Sequence, residues 1–393
     1  HLTDYLITGT LATNAPAGTR QLAEQVLRFH PRNTRAVILG GGTGLSTVAG
    51  GNSQMPDWAD QPMAGMKQEF PDLHFVVCTT DDGGSTGRLL KSLPMIGVGD
   101  LRKLLLSSIL VENLRQSYAL SERGALDLIR TLHRLFNHRF SERTSSFRLS
   151  QNPLKIVPES LRAACPQRLV EALCRLGDYI SPAGGGPVIP PAGHAAGNLL
   201  LTSAIFMATR GKVDRPPRLA AVQKGIDHVA GLIGAPVGRI HAATGAPGQL
   251  RIRYSNGVDV YGQSKAARAR RNSPVDRIFV EFGTKPDISP AVLHALRTAD
   301  VIVHAPGSLY TSIIPILQLE PIVAAIRSNR KALKVLGANS WVQEGETDIS
   351  PKNQGRGFLV SELIEAYDRN IPQGIWGMMD VVLSANLEHI PGN

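Results

Sequence analysis

At 393 residues, of which 42% are hydrophobic and 19% charged, the chain exceeds the roughly 250–300 residues at which one core stops growing and is too apolar for a disordered polypeptide. No apolar run approaches the roughly 18–20 residues of a membrane helix, and the first residues lack the basic-then-apolar order of a signal peptide, so neither a transmembrane segment nor export is expected. The net charge of +10 concentrates in Arg130–Arg148 and Lys265–Arg271, but aromatics are only 5% of the chain; the runs read as solvated basic faces, and nucleic acid is not the expected partner.

Three cysteines, Cys78, Cys165 and Cys174, form neither a disulfide framework nor a CxxC pair. They read as buried apolar fillers, and the usage suits a reducing cytoplasm.

In chain order, residues 1–34 read as a polar N-terminal extension with one amphipathic helix over Gly18–Phe29. The core opens at Arg35–Leu39, a strand that runs into Gly40-Gly-Gly-Thr-Gly44 and a helix from about Leu45. Gly50–Gly65 is a loop by its Gly, Pro, Asp and Asn content, and a second buried strand covers Leu73–Thr79. Asp100 opens the next helix, and residues 115–180 carry apolar positions three and four apart, the pattern of a helical insertion lobe. Ser181–Gly193 is a long Gly/Pro loop, after which His194 starts another helix. Short strands at Arg239–Ala243, Leu250–Tyr254 and Val258–Tyr261, with Ser255-Asn-Gly257 as a hairpin turn, predict a small antiparallel excursion. A parallel pattern is then expected to resume with strands at Arg277–Phe282, Val301–His304 and Lys334–Ala338, separated by helices at Pro290–Thr298 and Tyr310–Ile326. The expected organisation is a core of 35–114 and 181–350, an insertion of 115–180, and a C-terminal segment of 351–393 packing on the core.

The chemistry gathers where apolar strands end. In open α/β sheets ligands bind beyond the carboxyl ends of the strands. Gly41, Gly42, Thr43 and Gly44 let backbone amides approach a phosphate, with a helix N-terminus behind them; a tight strand–helix turn without a ligand has the same pattern. Asp81 and Asp82 are adjacent carboxylates that repel unless a metal, a ligand hydroxyl or Arg88 compensates. Gly83, Gly84 and Ser85 continue that loop. Asp100 reads either as a Mg²⁺ ligand or as a simple helix cap. His194 and Asn198, four apart on one helix face, point either to a ligand or to a structural contact. Gly307, Ser308, Thr311 and Ser312 offer donors for phosphate oxygens beyond a further strand, and Tyr310 offers a ring to stack on a base. Gln343-Glu-Gly-Glu-Thr-Asp348 repeats the theme.

In combination, Gly40-Gly-Gly-Thr-Gly-Leu-Ser46, Asp81-Asp-Gly-Gly-Ser-Thr-Gly-Arg-Leu89, Gly99-Asp-Leu-Arg102, His194-Ala-Ala-Gly-Asn198, Pro306-Gly-Ser-Leu-Tyr-Thr-Ser312 and Gln343-Glu-Gly-Glu-Thr347 resemble the gluconeogenesis factor family (YvcK-like), relatives of 2-phospho-L-lactate transferase (CofD-like). The resemblance implies a Rossmann-like three-layer α/β/α fold with a mainly parallel sheet, cytoplasmic residence and a nucleoside diphosphate ligand. Two branches imply two functions. In one, the protein binds a uridine diphosphate sugar (UDP-sugar) and regulates carbon allocation, cell-wall synthesis and cell shape; Tyr310 then stands where the nucleotide sugar is touched. In the other, a phospholactyl group moves from a guanosine diphosphate (GDP)-linked donor to a deazaflavin acceptor with Mg²⁺ on Asp82 and Asp100, and with Asp82 and Arg88 as the catalytic residues. The Asp-Asp-Gly-Gly-Ser and Gly-Asp-Leu-Arg forms favour the first. A homodimer is the default assembly. The chain departs from the family pattern at Thr86, where a second serine is usual, at Lys103, where an asparagine is common, and at Trp341-Val-Gln-Glu344.

Overall fold

The strand β1 (Arg35–Gly40) is buried at every position after Arg35, because both of its faces are covered. Ala36 and Ile38 point into one hydrophobic cluster, Val37 and Leu39 into another, as the two-residue period of a strand requires. The computed structural model describes residues 30–144, 152–163, 165–209, 213–266, 272–339 and 341–384, together with positions 17 and 20. The helix expected over Gly18–Phe29 lies outside the described residues except at Arg20, as does most of the Lys265–Arg271 run.

After β1 come α1 (Gly42–Gly50), β2 (Asp72–Val77), α2 (Gly84–Ser92), α3 (Gly99–Ser107), α4 (Val111–Tyr118), α5 (Glu122–Asn137), α6 (Gln167–Tyr179), α7 (Ala196–Ala208) and α8 (Leu219–Ile233). The strands β3 (Ile240–Ala242), β4 (Gly248–Tyr254), β5 (Asp259–Tyr261) and β6 (Val275–Phe282) follow. Then come α9 (Pro290–Thr298), β7 (Val301–His304), α10 (Glu320–Ser328), β8 (Leu333–Gly337), α11 (Val360–Asn370) and β9 (Val381–Leu383). Six strands form one sheet in the order β3-β2-β1-β7-β8-β9, with every pairing parallel. A second, antiparallel sheet has the order β5-β4-β6.

Helices cover both faces of the parallel sheet, which makes the fold three-layered and Rossmann-like. On one side lie α1, α3, α5, α7 and α8, whose Leu45, Leu101, Leu128, Leu199 and Ile226 join the first cluster. On the other lie α9, α10 and α11 with the small sheet, through Val292, Ile322, Ala366 and Ile252. The amphipathic α5 is capped by Ser121, whose side chain accepts from the Gly124 amide at 3.1 Å. By contrast α7 is buried from Ala196 through Phe206, an apolar rod that suits a helix enclosed by others.

Three expectations change. Ile240–Ala242 does not belong to the antiparallel excursion; it pairs in parallel with β2 and extends the main sheet. Conversely Val275–Phe282 leaves the parallel series and pairs antiparallel with β4, with a register shift at Arg253/Tyr254. Finally the helix expected over Tyr310–Ile326 is broken. A π-type turn at Leu309–Ile313 and a short helix at Ile314–Leu317 meet α10 at 73°, since Pro321 in the first turn of α10 has no amide to continue an earlier helix. Among the described residues no single helix is long and apolar enough to cross a membrane.

Candidate functional site at the topological switch point

The strand order reverses at β1. The chain passes outward from β1 to β2 and β3, then returns to lay β7 on the other side of β1, so the carboxyl ends of β1 and β7 flank a switch-point crevice. The backbone makes this crevice narrow. Gly42 opens α1 with φ +63°, a conformation open to glycine at little cost. Gly44 lies so close to the loop after β7 that a Cβ there would sit 1.9 Å from the Pro306 carbonyl oxygen. A Cβ on Gly41 would meet Asp100 Oδ2 at 2.6 Å and the Cβ atoms of Cys78 and Ser312 at 3.2 Å. Gly41, Asp100 and Ser312, distant in sequence, therefore share one spot, above which the first amides of α1 have no partner within the helix. The Thr43 hydroxyl turns instead to Gln54 Oε1, at 3.3 Å.

The acidic loop after β2 divides its two carboxylates. Asp81 Oδ1 accepts from the Gly83 amide at 2.9 Å, and its Oδ2 would lie 2.5 Å from a Cβ on Gly99, so this carboxylate sits against the start of α3. Burial, and then the neighbouring charge of Asp100, push its carboxyl up to about 6. Asp82 turns the other way. Its Oδ1 accepts from the Ser264 amide at 2.8 Å and the Ser264 hydroxyl at 2.9 Å, while the same hydroxyl is 3.0 Å from the Asp82 carbonyl. Asp100 is buried and accepts from Lys103 Nζ at 3.2 Å. The start of α3 is thus shared by Asp100 and Asp81, and Asp82 belongs to the segment after β5. Asp82 and Asp100 each have Oδ1 hydrogen-bonded within the chain, to Ser264 and to Lys103; among the described residues no cluster of three or more His, Cys, Asp or Glu is poised to hold a metal.

Ser85 ties the start of α2 to the start of α7. Its hydroxyl accepts from the Ala195 amide at 3.1 Å and from Asn198 Nδ2 at 3.2 Å, and lies 3.3 Å from His194 Nδ1. Burial first, and then the nearby Arg88, lower the His194 pKa, against a hydrogen bond with the Ser85 backbone that raises it. Arg88 itself is paired with Glu142 at 2.5 Å on the surface. His194, Asp82, Gly84 and Arg88 line a cleft of ≈ 1200 Å³ that extends past Lys91 and Lys265 toward the β4 end of the small sheet. The crevice residues Gly41–Gly44, Asp81, Asp100 and Ser308–Ser312 lie outside its lining.

Beyond β7 the loop is held from within the chain. Asn339 clamps Gly307, accepting from its amide at 2.6 Å and donating to its carbonyl at 2.7 Å. Glu346 lies over the turn at Leu309–Ile313, accepting from the Tyr310 amide and the Thr311 hydroxyl, both at 2.8 Å. A carboxylate of the protein thus occupies donors that the sequence offers to a phosphate. Tyr310 departs from its expected role. Its ring is fully buried, edge-on to Phe358 with centroids 6.5 Å apart, and a ring enclosed in the second core cannot stack on a base. Ser312 stays beside Gly41 and Gly42.

The structure therefore brings Gly41, Gly42, Gly44, Asp81, Asp100 and Ser312 to one crevice. It gathers Ser85, His194 and Asn198 beside it, directs Asp82, Gly84 and Arg88 to the adjoining cleft, and places Tyr310 in the core. Sequence reasoning missed Ser264 and Asn339 and gave Glu346 no contact. Only Glu346 carried a signal, through its Gln-Glu-Gly-Glu-Thr run.

Acid should weaken this fold. Burial lowers His74 and His304 to about 4, so both are neutral when folded, and the unfolded chain takes up their protons first, near pH 6.5. Their contribution is full above that pH and is lost as pH falls toward 4. Asp81 acts in the opposite sense, since a raised carboxyl favours the fold at low pH, but it is one group against two. The melting midpoint should fall steadily from pH 7 to pH 4.5, as followed by circular dichroism, and a midpoint that rises over that range contradicts the assignment.

The fold and the crevice define a class, the doubly wound α/β proteins with glycine-rich loops at a switch point. The chain belongs to the CofD family, described as 2-phospho-L-lactate transferase CofD, whose profile matches residues 36–392. It is 27% identical over 365 residues to the gluconeogenesis factor of Listeria innocua, covering 90% of this chain and 83% of that protein. A Deinococcus radiodurans protein that carries the same name provisionally is 29% identical over 340 residues, 86% of this chain; the chain spans about half of that relative, 52% of its length. Among solved structures, a UPF0052-family protein from Bacillus halodurans superposes with a TM-score of 0.57 at 25% identity, covering 90% of this chain and 80% of the other.

Proposed function

We propose that this chain is a nucleotide-sugar-binding regulator of the gluconeogenesis factor type. It holds a UDP-sugar in the cytoplasm at the crevice between β1 and β7, and its occupancy governs carbon allocation, cell-wall synthesis and cell shape. The observation that carries this reading is the state of the acidic residues. Asp82 is hydrogen-bonded by Ser264 and Asp100 is ion-paired with Lys103, so the carboxylates that a metal-assisted transfer would draw on each have one oxygen committed within the chain. The amides of α1, in contrast, suit a diphosphate. The names of the Listeria and Deinococcus relatives support the same branch. The proposed assembly is a homodimer, which a monomer mass by light scattering would refute.

A second reading is favoured by the description of the family itself: transfer of a phospholactyl group from a GDP-linked donor to a deazaflavin acceptor with Mg²⁺, where positioning and charge neutralisation would supply most of the catalysis. Thermal-shift measurements with UDP-N-acetylglucosamine, GDP, GTP and NAD, each with and without Mg²⁺, separate the two. A ligand at about 100 times its Kd adds about 2.7 kcal/mol. Stabilisation by the uridine sugar is expected; Mg²⁺-dependent stabilisation by GDP alone would replace the regulator with the transferase.

A further inference from the structure

The acidic pair at the start of α3 carries its own counter-charge. Asp81 and Asp100 are close enough for each to feel the other, and two buried carboxylates in that position must be offset. Lys103, one turn along α3 from Asp100, brings its ammonium to 3.2 Å from Asp100 Oδ1, and its charge bears on Asp81 as well. Arg102 is buried beside them. It donates to the Phe136 carbonyl at 3.2 Å and to Asn137 Oδ1 at 2.6 Å, and both aspartates feel its charge. Two negative charges thus face two positive ones inside the protein. A divalent ion of the Mg²⁺ kind takes one or two carboxylates together with waters and phosphate oxygens. Here the ammonium already supplies a positive charge beside Asp100, on Oδ1, while Asp100 Oδ2 faces Gly41, and Asp82, the other candidate ligand, has its Oδ1 turned to Ser264.

We propose that Lys103 is the resident cation of this site, standing where a divalent metal would otherwise neutralise a bound diphosphate, and that the chain binds its ligand without a metal. The clause about the ligand rests on the nucleotide-sugar reading above, whereas the clause about the counter-ion does not. A lysine fixed by a carboxylate one turn away is a positioning residue for phosphate oxygens, a point charge needing no exact geometry.

The counter-ion clause is tested on the protein alone. Mn²⁺ is titrated into wild type, Lys103→Asn, Lys103→Gln and Lys103→Arg, and the free aquo-ion is followed by electron paramagnetic resonance, with thermal melts to verify folding. Removing the ammonium should tighten Mn²⁺ binding at least about tenfold in the Asn and Gln variants, because a like-charge repulsion disappears while both carboxylates remain. Lys103→Arg should match wild type. Equal Mn²⁺ affinity in wild type and in a folded neutral variant would overturn the proposal. The ligand clause is tested by calorimetric titration of wild type with UDP-N-acetylglucosamine in EDTA and in Mg²⁺. Equal affinities support it, and binding seen only with Mg²⁺ overturns it. No binding under either condition defeats the nucleotide-sugar reading and the ligand clause with it, and the Mn²⁺ titration still decides the counter-ion clause.

Discussion

Gly44→Ala should destabilise the protein by at least about 3 kcal/mol and abolish ligand binding, since a Cβ overlapping backbone cannot be accommodated by a rotamer change. Its Cβ would stand 1.9 Å from the Pro306 carbonyl oxygen, 2.7 Å from the Pro306 carbonyl carbon and 3.0 Å from the Gly307 Cα. Relief requires the turn after β1 to separate from the loop after β7, and those two segments are the walls of the switch-point crevice. Chemical denaturation reads the first effect and calorimetry the second. Gly185, whose Cβ would meet nothing within 4 Å, has a φ of +76° and serves as a control: alanine there costs backbone strain of about 1–2 kcal/mol and should leave binding intact. A Gly44→Ala protein as stable as wild type would show that the two walls are not in contact.

The second large effect is expected at Glu346. Its carboxylate accepts from the Tyr310 amide and the Thr311 hydroxyl at the head of the turn that carries Ser312 to Gly41. Hydrogen bonds to an ionised group contribute about 1.5–3 kcal/mol each, and a buried amide left without an acceptor adds its own desolvation cost, so Glu346→Ala should cost about 3 kcal/mol. Glu346→Gln keeps an acceptor of the same shape for one of the two donors and should recover part of the loss. Urea denaturation of the three proteins gives the comparison. A Glu346→Ala protein that is as stable as wild type but binds an anion more tightly would instead show that Glu346 only fills a phosphate position.

What the sequence revealed and what it hid follow from the range of the interactions. The turns after β1 and β2 were legible because a continuous apolar run ending in glycines and carboxylates is a local pattern. The flanking layers were legible in part, since a helix was expected to start at His194, where α7 runs, and another over Pro290–Thr298, where α9 lies. Strand partnership was not. Ile240–Ala242 and Val275–Phe282 look alike as short apolar stretches, and which sheet each joins is decided by neighbours far along the chain, β2 for the one and β4 for the other. The same holds for Asp82, whose partner Ser264 lies 182 positions away. Next to Asp81 in sequence, it looks like half of a pair; in space the two carboxylates serve different segments. Tyr310 misled for a related reason. At a strand end among serines and glycines an aromatic ring reads as a ligand contact, whereas the turn it sits on rotates it into the core against Phe358. Lys103 was visible as a departure from the family pattern, but its meaning depended on where its ammonium falls.

The central claim is that one crevice, formed by the loops after β1, β2 and β7 together with the start of α7, holds a UDP-sugar. Hydrogen–deuterium exchange with and without UDP-N-acetylglucosamine tests it most directly, because protection is read peptide by peptide. Slower exchange in peptides covering 40–46, 81–88, 194–198 and 305–312, with little change across α5 and α6, is the predicted result. Protection confined to other segments, or none at saturating ligand, would contradict the assignment of both the ligand and its place.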